Sequence, residues 1–320
     1  MFQTVDLHIY PRESITKKEF LANTPINSIA LDGYVEDAPF FDEVSRHINF
    51  DHHTNVVREA TMSTNMQVYM AIKGGLFDLF KEHGKAKAHV YINDCDQDVA
   101  LSIALMEQYK MIENTNGNPL ISRIVDLTNK LDITAGSFPL NLNDSSVRKH
   151  NWVYQPYTEL RKSGNLAKAP AETMLKCIED ICTRFEKFTH HQGEEAEIDT
   201  RHEILYESPY GYKIIDEIGG NDARYFLFSQ GLKAYISLVA TREDCRRIWT
   251  VGRRGPYIPF PVSELSIIYE NAEKIPSQNG HPIWGGSNNV IGCNKQGSSL
   301  TAEDLVTLTD NYLKLKYHTY

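Results

Sequence analysis

Two short stretches of the chain gather side chains able to bind cations and move protons: Asp51-His52-His53, and Asp94-Cys95-Asp96-Gln97-Asp98. Carboxylates at alternate positions converge on one side of an extended or turning backbone. Three anions so close repel one another unless cations hold them, which is the physical reason to infer a metal. Imidazole beside carboxylate suits manganese, iron or zinc better than magnesium or calcium, which favour all-oxygen shells. Neighbouring side chains on a strand point to opposite faces, so His52 and His53 serve one site only if the strand has ended there. Each cluster has a plainer alternative. The triplet could be satisfied in the core or lie on the surface, and the Asp94–Asp98 run could be a solvated turn capping a helix.

Asp32, followed by Gly33, and Asp126, within SRIVDLTNKLD, are further acids in apolar company. Each alone reads as a cap or a surface acid. With the two clusters they supply enough ligands for two metal ions bridged by a carboxylate. Such a pair activates a water and stabilises the opposite oxygen of a phosphoryl centre.

The elements that must position these groups follow the rhythm of a parallel α/β sheet. INSIAL and AKAHVYIND read as strands, with helices expected over roughly 59–82, 97–111 and 121–133. Both clusters then fall beyond the carboxyl end of a strand, where such sheets place their chemistry. Periodicity is weak from 141 to 170, which reads as an elaborated loop or connector before the helix AETMLKCIEDICTRFEKF. Residues 1–195 are therefore taken as the metal-binding catalytic domain, connector helix included, and 196–320 as a smaller substrate-binding domain. In the second half, ARYFLFSQ, LKAYISLVA and RRIWTVGRR read as strands, PVSELSIIYENAEK and TAEDLVTLTDNYLKL as helices. A loop of glycine, serine and asparagine is expected between those helices. The fold class is α/β: a parallel-sheet N-terminal domain with a smaller mixed-sheet α/β C-terminal domain.

At 320 residues, 41% hydrophobic and 23% charged, the chain has the composition of a soluble globular protein. No stretch approaches the ~20 apolar residues of a membrane helix, and the first residues lack the basic start and apolar centre of a signal peptide. Five cysteines, none in a C-x-x-C pair, read as reduced thiols. The expected location is cytoplasmic. A formal charge of −9 argues against a broad basic surface for duplex nucleic acid. Arg253 and Arg254 could still grip phosphate oxygens, and Gly285 and Gly286 would let the backbone approach a ligand closely. A plain surface loop is the alternative there.

Asp51-His52-His53 after a hydrophobic run resembles the signature of the DHH phosphoesterase superfamily. Asp94-x-Asp96-x-Asp98-x-x-x-Ser102-x-x-Leu105 is similar to its first acidic motif, especially in the single-strand exonuclease branch. Asp32 matches the solitary aspartate of its second motif, and IVDLTNKLD resembles the segment holding its fourth. The resemblance implies that Asp32, Asp51, His53, Asp96 and Asp98 are metal ligands, with Asp126 a looser match. It makes His52 a partner of substrate or metal and Asp94 an acid at or just behind the ions. The family order is permuted here, the acidic motif following the triplet instead of preceding it. The second half is similar in outline to the superfamily's substrate-binding domain. There Trp284-Gly285-Gly286-Ser287-Asn288-Asn289 stands in place of the expected Gly-Gly-Gly-His loop, and His281 precedes the glycines.

Together these readings predict a phosphoester hydrolase with its active site between the domains and one or two Mn²⁺ ions, Mg²⁺ or another divalent ion remaining open. The expected substrate is a phosphorylated small molecule, a nucleotide or a short oligonucleotide, attacked by a metal-activated water. His52, His53 and Asp94 are its candidate catalytic groups. Arg253, Arg254, His281, Gly285, Gly286, Ser287 and Asn288 are its candidate substrate contacts. No duplex and no membrane is expected as a partner, and a homo-oligomer is left open. The competing readings are a non-catalytic nucleotide-binding regulator on the same fold and an inorganic pyrophosphatase.

Overall fold

The runs Ser28–Leu31 and His47–Phe50 are buried at every position, and Ala88–Ile92 at all but one, as strands covered on both faces must be. A computed structural model describes residues 2–275, 282–293 and 297–317. The chain forms two compact units, Met1–Ile133 with Asp144–Ala196, and Thr134–Asn143 with Glu197–Tyr320.

The first unit runs β1 (Val5–Ile9), α1 (Lys17–Asn23), β2 (Ser28–Leu31), β3 (Phe40–Asp42), β4 (His47–Phe50), α2 (Thr64–Lys73), α3 (Leu76–Leu79), β5 (Lys81–Glu82), β6 (Lys85–Ala86) and β7 (Ala88–Ile92). It continues with α4 (Gln97–Glu107), α5 (Pro119–Ile133), α6 (Ser145–Val153), α7 (Gln155–Lys162) and α8 (Ala171–Thr189). The sheet order is β1-β7-β2-β4-β3. The first four strands are mutually parallel, and β3 pairs antiparallel at the edge. One face buries Ile29, Leu31, Ile48, Phe50, Val90 and Ile92 in a core shared with Val99 and Leu101 of α4 and Ile178 and Phe185 of α8. On the other face Ala30 and Tyr91 pack with Phe20 of α1. Leu31 and Phe50 are in register, and the ladder extends one step through the Asp32 amide, which donates to the Phe50 carbonyl at 2.9 Å. The carboxyl ends of β2 and β4 therefore lie level, and the residue after each is an aspartate.

The second unit holds β8 (Glu203–Glu207), β9 (Tyr212–Asp216), α9 (Asn221–Ser229), β10 (Ala234–Thr241), β11 (Arg247–Arg253), α10 (Val262–Ala272), β12 (Trp284–Gly286), β13 (Val290–Cys293) and α11 (Ala302–Tyr317). Its sheet, β12-β13-β11-β10-β9-β8, is mixed, with β9 and β10 parallel and the other pairs antiparallel. The chain is thus α/β, with a parallel-dominated sheet in the first unit and a mixed sheet in the second. All five cysteines are free thiols. Among the described residues, no helix is long and apolar enough to cross a membrane.

Several local expectations change. The single helix expected over 59–82 is split into α2 and the short α3, because Gly74 and Gly75, the latter at φ +95°, interrupt it. The connector at 141–170 contains α6 and α7. Asp144 caps α6 by accepting from the Ser146 amide at 2.8 Å, and Pro156 opens α7. ARYFLFSQ is helix α9, not strand. Its aromatic content suggests β, but consecutive residues Ala223, Arg224 and Tyr225 are all buried, which a half-exposed strand cannot achieve. Arg224 makes a bidentate pair with Glu217, at 2.8 and 3.0 Å, and that fixes the helix on the sheet. The glycine loop is the hairpin of β12 and β13.

Candidate metal centre

Asp32 leaves β2 in a left-handed conformation, φ +51°, which aspartate tolerates better than most residues. The turn holds its carboxylate over the strand ends, with Oδ1 accepting from the Thr64 hydroxyl at 2.9 Å. Beyond β4 the chain stops being a strand, so both histidines of the triplet face one place, their rings 4.3 Å apart. His53 Nδ1 lies 3.1 Å from Asp51 Oδ1 and 3.3 Å from Asp32 Oδ1. His52 is fully buried, and its Nε2 lies 3.5 Å from Asp32 Oδ1, 3.7 Å from Asp98 Oδ2 and 2.6 Å from Asp132 Oδ2. Asp51 is buried as well. Its Oδ2 accepts from the Thr54 amide at 2.9 Å and its carbonyl from Gln67 Nε2 at 2.8 Å, which fixes the turn.

The acidic run divides its labour. Asp96 is the N-cap of α4, its Oδ1 accepting from the amides of Asp98 and Val99 at 3.0 Å each. Asp98, in the first turn of α4, reaches across to α2. Its oxygens accept from the Thr64 and Asn65 amides at 2.7 Å each and from the Asn65 side chain. Ser63, at the cap position of α2, makes no side-chain cap bond, so Asp98 serves the first-turn amides of α2 from another helix. Asp94 Oδ1 accepts from the amide of Cys95 at 2.7 Å. The helix-capping alternative thus describes Asp96, whereas Asp98 is buried, serves another helix and stays in the cluster.

Two groups of three donors result, Asp32-His52-His53 and His52-Asp98-Asp132, each with its ligand atoms within 4.8 Å of one another and His52 common to both. Asp126 does not join them. It is half exposed and pairs with Lys130 one turn on at 2.6 Å. Asp132, six residues further along α5, takes its place at the centre, because six residues turn the helix to a face about 120° away. Arg58 holds it there, Nη2 donating to the Asp132 carbonyl at 3.0 Å and to Oδ1 at 3.3 Å. Sequence reading noticed Asp132 only as a helix residue. Its place at the last turn of a helix, just before a break, was the available signal. Arg58 carried none.

Three observations say that a cation fits. First, His52 Nδ1, His52 Nε2 and Asp132 Oδ2 are buried with no aligned hydrogen-bond partner, even though the last two atoms are only 2.6 Å apart. Second, burial, and then the charges of Asp32, Asp94, Asp132 and Asp98, push the Asp96 carboxyl well above the usual range. Burial, Asp132 and Asp32 do the same to Asp98. Like charges 4 Å apart repel by about 4 kcal/mol even at an effective dielectric of 20, more than a typical hydrogen bond returns. Third, the donors mix oxygen and nitrogen, as manganese, iron and zinc accept.

Burial alone would discharge the histidines, yet Asp132 and Asp32 hold His52 up at about 9, and Asp32 and Asp51 hold His53 up at about 10. Burial disfavours the Asp32 anion, but His52 and His53 outweigh it and lower its pKa. His52, His53, Asp96 and Asp98 thus bind more protons folded than unfolded, so the metal-free fold loses stability as pH rises. The histidine share is complete below pH 6.5 and gone above about 10. Asp32 acts with the opposite sign, but only in acid. A divalent ion replaces those protons. The rise in Tm on adding Mn²⁺ is therefore expected to grow from pH 6.5 to about 9. Thermal melts with Mn²⁺ and with chelator across that range measure it, and a pH-independent increment contradicts it.

Of the predicted substrate contacts of the second unit, Arg253, Ser287 and Asn288 have side-chain or turn partners within it, and Arg254 is held there by its backbone. Arg253 Nη1 donates to the carbonyls of Ile258 and Phe260 at 3.2 Å each, and Nε to Asn289 Oδ1 at 3.3 Å, tying the hairpin turn down. The Arg254 amide donates to the Lys233 carbonyl at 2.8 Å. Ser287 closes the hairpin through its amide, 2.8 Å from the Val290 carbonyl, and Asn288 Oδ1 accepts from Ser263 at 3.3 Å. The close approach that glycine permits is internal: at Gly286, φ +147°, a Cβ would lie 2.5 Å from the Val290 oxygen and 2.8 Å from the Ile291 Cα. Gly285 has open space around it. Gly286→Ala is expected to destabilise the protein by about 1–3 kcal/mol, read as a lower denaturant midpoint. An unchanged midpoint would mean that the hairpin yields at no cost. His281 lies outside the described residues.

No protein-family model matches this chain, and no curated protein matches it.

Proposed function

We propose that the protein is a divalent-metal-dependent phosphoester hydrolase acting on a nucleotide or short oligonucleotide, with manganese the preferred ion. One observation carries the reading. Two donor sets sharing His52 meet beyond level strand ends of a parallel sheet, which is the position where open α/β sheets bind ligands. The resemblance of the Asp51-His52-His53 and Asp94–Asp98 stretches to the DHH phosphoesterases supports the same assignment.

Asp32, His52, His53, Asp98 and Asp132 would hold the ions, and Asp96 adds negative charge beside them. Bound there, divalent ions supply Lewis acidity toward a phosphoryl oxygen and a water nucleophile at neutral pH. Arg58 keeps Asp132 in place. His53 is the most exposed of the donors, 38% open at its side chain against 0% for His52, so it is the one that reaches a substrate phosphate. Asp51 orients its ring. The net charge of −9 favours small phosphorylated ligands over long nucleic acid, and five free thiols accord with the cytoplasm as its compartment.

The test is a panel of substrates given to metal-stripped protein with and without Mn²⁺: bis-p-nitrophenyl phosphate, a cyclic dinucleotide, a short oligonucleotide and pyrophosphate. Mn²⁺-dependent cleavage of the diesters supports the proposal. Phosphate release from pyrophosphate alone would reassign the enzyme, and tight nucleotide binding with no turnover would make it a regulator. Failure to bind Mn²⁺ at all would remove the basis of the reading.

A further inference from the structure

We propose that Asp6, His8 and His89 form a separate binding site for a zinc-class divalent transition-metal ion at the β1 edge of the first sheet, on the face that carries Tyr91. Asp6 and His8 alternate along β1 and so share a face, and the parallel register places His89 of β7 directly beside Asp6. Asp6 Oδ2 lies 3.4 Å from His8 Nε2 and 3.1 Å from His89 Nδ1, and the three ligand atoms fall within 4.8 Å of one another. For zinc–ligand bonds of about 2.0–2.1 Å, the corners of a tetrahedron are about 3.3–3.4 Å apart. Both of these separations are close to that edge length and the third is within 4.8 Å, so one ion can take all three donors after a shift of one ring and keep a fourth position open.

The atoms around the cluster are arranged as metal sites require. His89 Nε2 faces Glu82 Oε1 at 2.9 Å. A carboxylate only accepts, so Nε2 carries the hydrogen, and in the neutral ring Nδ1 is left as a lone pair aimed at another acceptor, Asp6 Oδ2. A carboxylate on the far nitrogen of a histidine is the usual support for a metal ligand. His8 Nε2 is buried without an aligned hydrogen-bond partner. The His8 ring is held by stacking on Tyr91, centroids 4.5 Å apart and planes within 12°. Asp6 and His89 are the second residues of β1 and β7 and His8 is the fourth of β1, whereas the other donor sets follow β2 and β4, and the site does not depend on those sets being a metal centre.

The test uses full-length protein stripped of metal and titrated calorimetrically with Zn²⁺, then with Co²⁺ while the visible spectrum is recorded. The wild type is expected to bind one more equivalent of Zn²⁺ than the His8→Ala/His89→Ala variant, and that equivalent is expected to persist in a His52→Ala/Asp132→Ala variant. Its Co²⁺ form is expected to show tetrahedral absorption. Glu82→Gln is expected to weaken this equivalent about 10-fold. Equal stoichiometry in the wild type and the His8/His89 variant overturns the proposal. Should that variant fold poorly, wild-type protein alone decides: Zn²⁺ should protect His8 and His89 from carbethoxylation mapped by mass spectrometry. Undiminished modification at saturating Zn²⁺ means that the cluster is a set of ion pairs with no metal, and the proposal falls.

Discussion

His52→Ala is expected to lose metal from both donor sets at once and to lower Mn²⁺-dependent phosphodiester cleavage by at least ~100-fold, since even losing an outer support of a metal ligand costs roughly 10–100-fold. The reason is its shared position. Its Nε2 lies within 4 Å of Asp32, Asp98 and Asp132 together. Removing the ring leaves three carboxylates facing one another with neither imidazole nor ion between them. The variant should therefore also be less stable without metal at neutral pH, where the histidine is charged. Because the residue is fully buried, a cavity alone could unfold the variant, so His52→Gln serves as the volume control. Metal content by elemental analysis and kcat/KM on bis-p-nitrophenyl phosphate are the readouts. Full metal content with full activity in a folded variant would end the proposal.

The second large effect separates two aspartates on one helix. Asp132→Asn is expected to reduce metal affinity and kcat/KM by about 100-fold, on the same footing as a lost ligand. Asp126→Asn should leave both within about 2-fold, since an exposed i,i+4 ion pair is worth only ~0.3–0.5 kcal/mol. Asp132 stands 2.6 Å from His52, whereas Asp126 meets only Lys130 on the surface of α5. Equal losses in the two variants would mean that the helix as a whole, and not the carboxylate at position 132, supports activity. An Arg58→Lys change provides a graded companion. It keeps the charge but gives up the guanidinium that spans the Asp132 carbonyl and carboxylate, and a loss intermediate between the two asparagine variants is expected.

What could be read from the amino acids alone follows the range of the forces involved. The parallel sheet was legible because Ser28–Leu31 and Ala88–Ile92 are mostly apolar runs bounded by polar residues, and burial on two faces leaves that mark locally; His47–Phe50 carries it less clearly, with polar His47 and Asn49 buried among its apolar residues. The placement of Asp32 and Asp51 at strand ends was legible for the same reason. The loose motif match pointed to Asp126 and gave Asp132 no role, because only the rotation of α5 against the sheet decides which one faces inward. Asp96 and Asp98 looked equivalent by spacing, yet one caps its own helix and the other caps a neighbour that lies far away in sequence. The strand expected at Ala223–Gln230 failed because the bidentate pair of Arg224 with Glu217 is a tertiary contact. At Trp284–Asn289 close approach was expected of a ligand at both glycines, whereas Gly285 has open space and at Gly286 the approaching group is the partner strand of its own hairpin.

The bond from Asp98 to the first turn of α2 makes the centre and that helix one cooperative unit. The amides of Thr64 and Asn65 have no carbonyl of their own helix to pair with, and a carboxylate on α4 is what keeps them from water. The Thr64 hydroxyl then passes the linkage on to Asp32. For α2 to open at this end, Asp98 must let go, and the cluster around His52 comes apart in the same event. Opening of α2 at this end therefore carries the cost of the cluster as well as that of the helix turn, and an ion held by the cluster would raise that cost.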